Sequence, residues 1–159
     1  MTTEENIKIG DTAPDFIASD SNGNTISLSD LISKKLSVVL YFYPKDSTPG
    51  CTIQACDFRD NMELLSSKNV VVLGVSKDSA KSHQNFIEKQ SLNFSLLLDE
   101  DLKIHNKYGV WREKMNYGRT YMGTSRSTFI IGTDRKIKFA KYNVKAKGHV
   151  ERLIKELKL

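Results

Sequence analysis

The chain changes hydrophobic period several times, and each change marks an element. Residues 36–43, LSVVLYFY, form an unbroken apolar and β-rich run, which predicts a strand buried on both faces. Residues 70–76, VVVLGVS, repeat that pattern, and residues 94–99, FSLLLD, give a shorter version of it. Between the first two runs the period becomes helical: over residues 51–68, Ile53, Ala55, Cys56, Phe58, Met62, Leu64 and Leu65 recur at helical spacing. Residues 79–92 predict a second helix, with Ser79 as its cap and Phe86 and Ile87 on its inner face. Residues 100–110 predict a short helix ending at Gly109. Near the start, residues 18–30 read as a small hairpin around Asn22-Gly23 that leads into a short helix capped near Ser29. Near the end, residues 127–142 read as a hairpin turning at 133–136, and residues 149–159 as an amphipathic helix. The intervening WREKMNYGRTYMG, residues 111–123, has no clean period and reads as a long surface loop.

Strands alternating with helices, followed by a hairpin and a terminal helix, define an α/β chain. Its expected architecture is a central mixed β-sheet flanked by helices, with an N-terminal β-hairpin. No repeat, linker or low-complexity tract interrupts it, so residues 1–159 are expected to form one domain. That length buries a sizeable core without disulfide or metal staples.

Charge changes this picture little. The net charge is +5, and much of the excess lies in residues 134–159. It reads as a solvated strand edge and a lysine-rich helix face, because no recognition-helix, aromatic RNA-binding or finger pattern accompanies it. No nucleic-acid partner is expected. The opening MTTEENIKIG has no apolar core, so it is not expected to act as a secretory signal. The longest apolar run, around Val38–Phe42, falls far short of a bilayer span, so no membrane partner and a cytoplasmic location are expected.

The chemistry concentrates where the first buried strand stops. Pro44 ends it, a turn of Lys, Asp, Ser, Thr, Pro and Gly follows, and both cysteines of the chain, Cys51 and Cys56, come next. In a reducing compartment, a close thiol pair is more plausibly catalytic or metal-binding than structural. The histidines His83, His105 and His149 are scattered and form no ligand pair with the thiols, so no metal is expected. The expected helix start puts Pro49 at its first position, Thr48 just before it and Cys51 in its first turn. Free N–H groups and the helix dipole stabilise a thiolate there. By position alone, Cys51 reads equally as a small buried core residue and Thr48 as a simple cap.

Cys56 sharpens the question. In an intact helix a five-residue offset puts the two Cα atoms about 8–9 Å apart and on different sides. A disulfide needs them within about 7 Å. Either the thiols never meet, or the first helical turns unwind when they react. The C-x-x-x-x-C spacing also differs from the C-x-x-C of thioredoxin-type dithiols.

The segment FYPKDSTPGCTIQACDFRD resembles the active-site signature of the peroxiredoxins, with Pro44, Thr48 and Cys51 at its marked positions. The second cysteine, and the later YGVWREKMNYGRTYMGTSRSTFIIGTDRKI, are similar to the bacterioferritin comigratory protein, or peroxiredoxin Q, subfamily, and the resemblance runs from about Ile9 to the terminal helix. It implies a thioredoxin-like fold and a thiol peroxidase that reduces hydrogen peroxide and organic hydroperoxides. Cys51 would be the peroxidatic thiol and Cys56 the resolving one, joined in an intramolecular disulfide. Arg126 would stabilise developing charge, Thr48 would hydrogen-bond to thiolate or peroxide, and Pro44 would shape and shield the pocket. No cofactor is implied. The expected partner is a thioredoxin-like protein reductant, with the enzyme a monomer or weak dimer. Gln54 stands where many peroxiredoxins carry glutamate, and the 133–136 turn lacks an Asp-Gly pair. Trp111 and residues 115–122 are read as packing, without a functional role. Two other readings stay open at this level: a dithiol redox sensor or disulfide oxidoreductase on the same fold, and a basic interaction module that would survive loss of both cysteines.

Overall fold

The computed structural model describes residues 6–158. The first half of the opening segment, residues 1–5, and the final residue of the terminal helical pattern lie outside the described residues. A short hairpin, β1 (Ile17–Ser19) and β2 (Thr25–Ser27), runs directly into α1 (Leu28–Ser33). The cap of α1 is Ser27, whose side chain accepts from the Asp30 N–H, two residues earlier than the expected Ser29. Ser29 is instead held through its backbone N–H and hydroxyl by the Asp15 carboxylate.

The central sheet contains β3 (Ser37–Phe42), β4 (Val70–Ser76), β5 (Ser95–Leu98), β8 (Ser127–Ile131) and β9 (Ile137–Lys141), in the order β5-β4-β3-β8-β9. β3, β4 and β5 run parallel, whereas β8 is antiparallel to both β3 and β9, so the sheet is mixed. The parallel strands are joined through helices, as parallel neighbours require. α2 (Pro49–Asp60) and α3 (Met62–Ser67) connect β3 to β4, and α4 (Ala80–Gln90) connects β4 to β5. α5 (Lys103–Lys107) follows β5, and α6 (His149–Glu156) follows β9.

Strand alternation divides the core into two layers. Val39, Tyr41 and Tyr43 face Phe58, Leu65, Phe86 and Leu153, beneath α2, α3, α4 and α6. Val38, Leu40 and Phe42 face Leu28, Ile104 and Tyr108 on the other side. The continuous apolar runs of β3 and β4 are thus explained, since each strand is covered twice.

Two further features depart from the expectations. The helical pattern of residues 51–68 belongs to two helices, broken at Asn61, which serves as both the end of α2 and the cap position of α3. Residues 111–123 are not a loop: β6 (Trp111–Asn116) and β7 (Arg119–Thr124) pair in register as a hairpin outside the central sheet. Its two-residue turn is Tyr117-Gly118, both with positive φ (51° and 76°), the geometry that matches the twist of paired strands. Tyr117 is 98 % exposed, and Met115, Tyr121 and Met122 are also exposed. With outward side chains apolar and polar alike, the alternation that betrays a strand is lost.

Candidate active site

The site forms at the carboxyl end of β3. Tyr43 continues the strand with an N–H bond to the Val75 carbonyl, and the chain then leaves the sheet at Pro44, which is half-buried. The turn that follows includes Ser47 at a φ of +63° and is anchored from below by Asp46. That buried carboxylate accepts from the Tyr43 hydroxyl at 2.6 Å and from the Ser82 hydroxyl at 2.8 Å. Its own backbone N–H donates to Asp78. His83 Nδ1 lies 2.6 Å from Asp46 Oδ2, and His83 Nε2 lies 2.9 Å from the Leu97 carbonyl. Because both neighbours are acceptors, both ring nitrogens are set to donate. Burial opposes the imidazolium, but the Asp46 bond and charge outweigh it and hold the His83 pKa above its ordinary value.

Thr48 is the cap position of α2, with extended backbone, and Pro49 begins the helix. The Thr48 hydroxyl makes no capping bond; it donates to the Lys45 carbonyl at 2.8 Å, not to the thiol. Thr52 N–H closes the first helical turn on the Thr48 carbonyl. The Gly50 and Cys51 N–H groups lie ahead of that bond, so they stay free of the helical ladder. Cys51 itself is 1 % exposed, at the edge of the core layer under α2.

Arg126 reaches this point through the sheet. β8 pairs with β3 so that Ser127 stands opposite Phe42, which brings Arg126, the residue just before it, to the exit of β3. Its backbone carbonyl accepts from Val144 N–H, and Ser125 N–H on its other side bonds to the Val110 carbonyl. From this pinned backbone, Arg126 Nη2 donates to Cys51 Sγ at 3.3 Å and Nη1 to Gln54 Oε1 at 2.7 Å. Gln54 lies one turn after Cys51 on the same helix face, fully buried, with its Nε2 unpartnered. Lys114, on β6, donates to the Thr124 carbonyl; burial first, and then the Arg126 charge, hold it below the usual lysine range.

Cys56 sits two-thirds of the way along the same continuous helix, half-buried, and its Sγ donates to Gln90 Oε1 at 3.5 Å. Both thiols are free. The structure therefore brings Cys51, Arg126 and Thr48 to one helix start and leaves Cys56 turned toward α4. In the sequence Gln54 stands out only as a departure from glutamate, and its i+3 spacing from Cys51 is the signal that places it on the same helix face. The Asp46–His83 anchor had none, because the partners lie 37 residues apart on different elements. The other two histidines serve packing networks. His105 bridges Asp99 and Thr124. His149 bonds to Thr128, with its pKa pushed down to about 4 by burial and by the Arg152, Lys141 and Arg126 charges.

A thiol at a helix start, bonded to a fixed guanidinium at the carboxyl end of a central strand, defines a redox thiol protein of the thioredoxin-like class. A putative peroxiredoxin of Helicobacter pylori (strain J99), called bcp, is 50 % identical over 96 % of this chain and 99 % of its own length. The crystal structure of a cysteine-to-serine mutant of PrxQ from Xylella fastidiosa superposes with a TM-score of 0.90, at 37 % identity over 97 % of each chain. The bacterioferritin comigratory protein of Xanthomonas campestris follows with a TM-score of 0.86, at 35 % identity over 96 % of each. The chain belongs to the AhpC/TSA family, whose sequence profile matches residues 9–140, and is a peroxidase of the peroxiredoxin type.

Proposed function

We propose that Cys51 is the peroxidatic thiol of this peroxidase and Cys56 its resolving thiol. The observation that carries the reading is the Arg126 Nη2 bond to Cys51 Sγ at the first turn of a helix that also contains Cys56. The Cys51 thiolate attacks one peroxide oxygen; the S–O bond forms as the O–O bond breaks, and the second oxygen leaves as water or alcohol after taking up a proton. Sulfur supplies both electrons. Arg126 faces the charge that passes from sulfur to the departing oxygen. The Thr48 hydroxyl, committed as a donor to Lys45, keeps its lone pairs to accept a hydrogen bond from the peroxide O–H. The Gly50 and Cys51 N–H groups complete the donor set, and Pro44 walls the exit of β3.

Cys56 then attacks the Cys51 sulfenic acid: the S–S bond forms, the S–O bond breaks, and water leaves. A thioredoxin-like dithiol reduces the disulfide and is oxidised in turn. Hydrogen peroxide and organic hydroperoxides are the substrates; the Xanthomonas relative is described for its alkyl peroxide reduction activity. Because both thiols lie on one chain, a turnover needs no second subunit, which suits a monomer or weak dimer. No helix among the described residues is long and apolar enough to cross a membrane, and a free thiol pair that must be recycled suits the reducing cytoplasm.

Single substitutions separate the two roles. Cys51→Ser is expected to consume no peroxide in a stopped-flow assay. Cys56→Ser should consume one equivalent quickly to give the Cys51 sulfenic acid, and further peroxide only as that acid is oxidised to sulfinic acid. Peroxide turnover surviving in Cys51→Ser, or equal sulfinic acid in wild type and Cys56→Ser, contradicts the assignment.

A further inference from the structure

Resolution requires the Cys56 thiol to leave its present partner and turn toward Cys51, and three contacts hold that stretch of α2 against α4. The Cys56 thiol donates to the side-chain oxygen of Gln90 at 3.5 Å. One turn later, Arg59 Nη1 donates to the backbone carbonyl of the same Gln90 at 2.6 Å. The Arg59 carbonyl accepts in turn from Asn93 Nδ2 at 3.2 Å. Gln90 is the last residue of α4, and Ser91 after it takes the left-handed conformation that ends the helix. The Cys56–Arg59 face of α2 is therefore stitched to the carboxyl end of α4, where the chain turns toward β5.

We propose that Gln90 is a positioning residue for the resolving half of the reaction: it latches Cys56 into the folded helix and thereby sets how long the Cys51 sulfenic acid waits for its partner. This rests on the assignment of Cys56 as the resolving thiol. A thiol donating to an amide oxygen has its proton engaged and its side chain aimed at α4. To attack the sulfenic sulfur it must give up that bond, lose the proton and turn toward Cys51, after which the S–S bond forms and the oxygen leaves as water. The two halves of α2 are held differently. Cys51 and Gln54 are held through the Arg126 side chain, whereas the half that carries Cys56 is held through Gln90, Arg59 and Asn93. Loosening the Gln90 side chain should therefore alter the second step and leave the first alone.

The waiting time has a chemical consequence. A sulfenic acid that waits meets a second peroxide and advances to sulfinic acid, outside the catalytic cycle. Gln90 thus sets the partition between disulfide and sulfinic acid, and with it the peroxide concentration at which the enzyme inactivates.

The test is rapid mixing of the reduced full-length protein with hydrogen peroxide, in wild type, Gln90→Leu and Gln90→Glu. The attack and resolution phases are followed separately, and the final disulfide and sulfinic acid are counted by peptide mass mapping. Leu matches the side chain in bulk without an acceptor, whereas Glu keeps an oxygen at the same reach. Loss of one neutral hydrogen bond from the closed state should speed resolution about 3-fold in Gln90→Leu. Sulfinic acid should fall in proportion, with the attack rate unchanged, and Gln90→Glu should resolve at the wild-type rate or more slowly. Resolution in Gln90→Leu at the wild-type rate overturns the latch, including when the variant melts earlier, because a merely structural role lowers stability without moving the partition. An equal change in both phases overturns it too. If wild type forms no Cys51–Cys56 disulfide at all, the resolving role of Cys56 has failed; if it forms one at the same rate in all three proteins, the latch alone has failed.

Discussion

Arg126 serves two side chains of α2 at once, and its planar fork is what permits this. One nitrogen meets the Cys51 sulfur while the other meets the Gln54 amide oxygen, so the guanidinium cannot swing away from the thiol without breaking a second bond. A neutral acceptor at position 54 orients the cation without neutralising it. Gly50 leaves it room: a Cβ there would stand 3.2 Å from Arg126 Nη2 and 3.7 Å from the Ala146 Cβ. A lysine could reach one partner but not hold the fork geometry. Arg126→Lys is therefore expected to lower the second-order rate constant for hydrogen peroxide by roughly 100-fold, measured on the reduced protein. A rate within about twofold of wild type would contradict the role given to the fork. Much of this was legible in the chain. Pro49 behind Thr48 marks a helix start, and the start marks Cys51. What was not legible was direction: nothing local tells that the Thr48 hydroxyl turns back to Lys45, or that Cys56 faces Gln90 across to another helix.

Among the elements, the parallel strands and most of the helices announced themselves, because burial on two faces leaves an unbroken apolar run and burial on one leaves a clean period. The hairpin β6–β7 did not. It stands off the central sheet, its outward side chains are as often apolar as polar, and Tyr117 occupies a turn position usually given to Asn or Gly. The break at Asn61 was hidden for the opposite reason, since the apolar spacing continues across it from Phe58 through Met62 to Leu65. The turn before α2 depends on a contact between elements, the Asp46–His83 pair that ties it to α4. His83 binds its proton more tightly in the folded protein than its ordinary value of 6.5 allows. The stabilisation from that pair is therefore full below the ordinary value and is lost as pH rises through the folded one. Denaturant unfolding of wild type and His83→Gln, compared from about pH 5 to about pH 9, should show a stability gap that narrows as pH rises. A gap that widens with pH would reverse the protonation assigned to His83.

For the whole molecule, the sheet does what neither chain segment can do alone. Cys51 and Arg126 lie 75 residues apart, and the antiparallel register of β8 on β3 closes that separation to a hydrogen bond. The same architecture explains why the two thiols are kept apart. Cys51 is anchored toward Arg126 and the core, Cys56 toward α4, and the helix between them is continuous. Catalysis by this pair demands that a well-packed helix start open and close in each cycle, a local opening far smaller than unfolding of the protein. Reduced protein mixed with one equivalent of hydrogen peroxide, quenched early and mapped without reductant, tests that demand most directly. A Cys51–Cys56 disulfide is expected as the main product, formed as the peroxide disappears. Peroxide left unconsumed with both thiols intact, or consumed with no bond between Cys51 and Cys56, would contradict it.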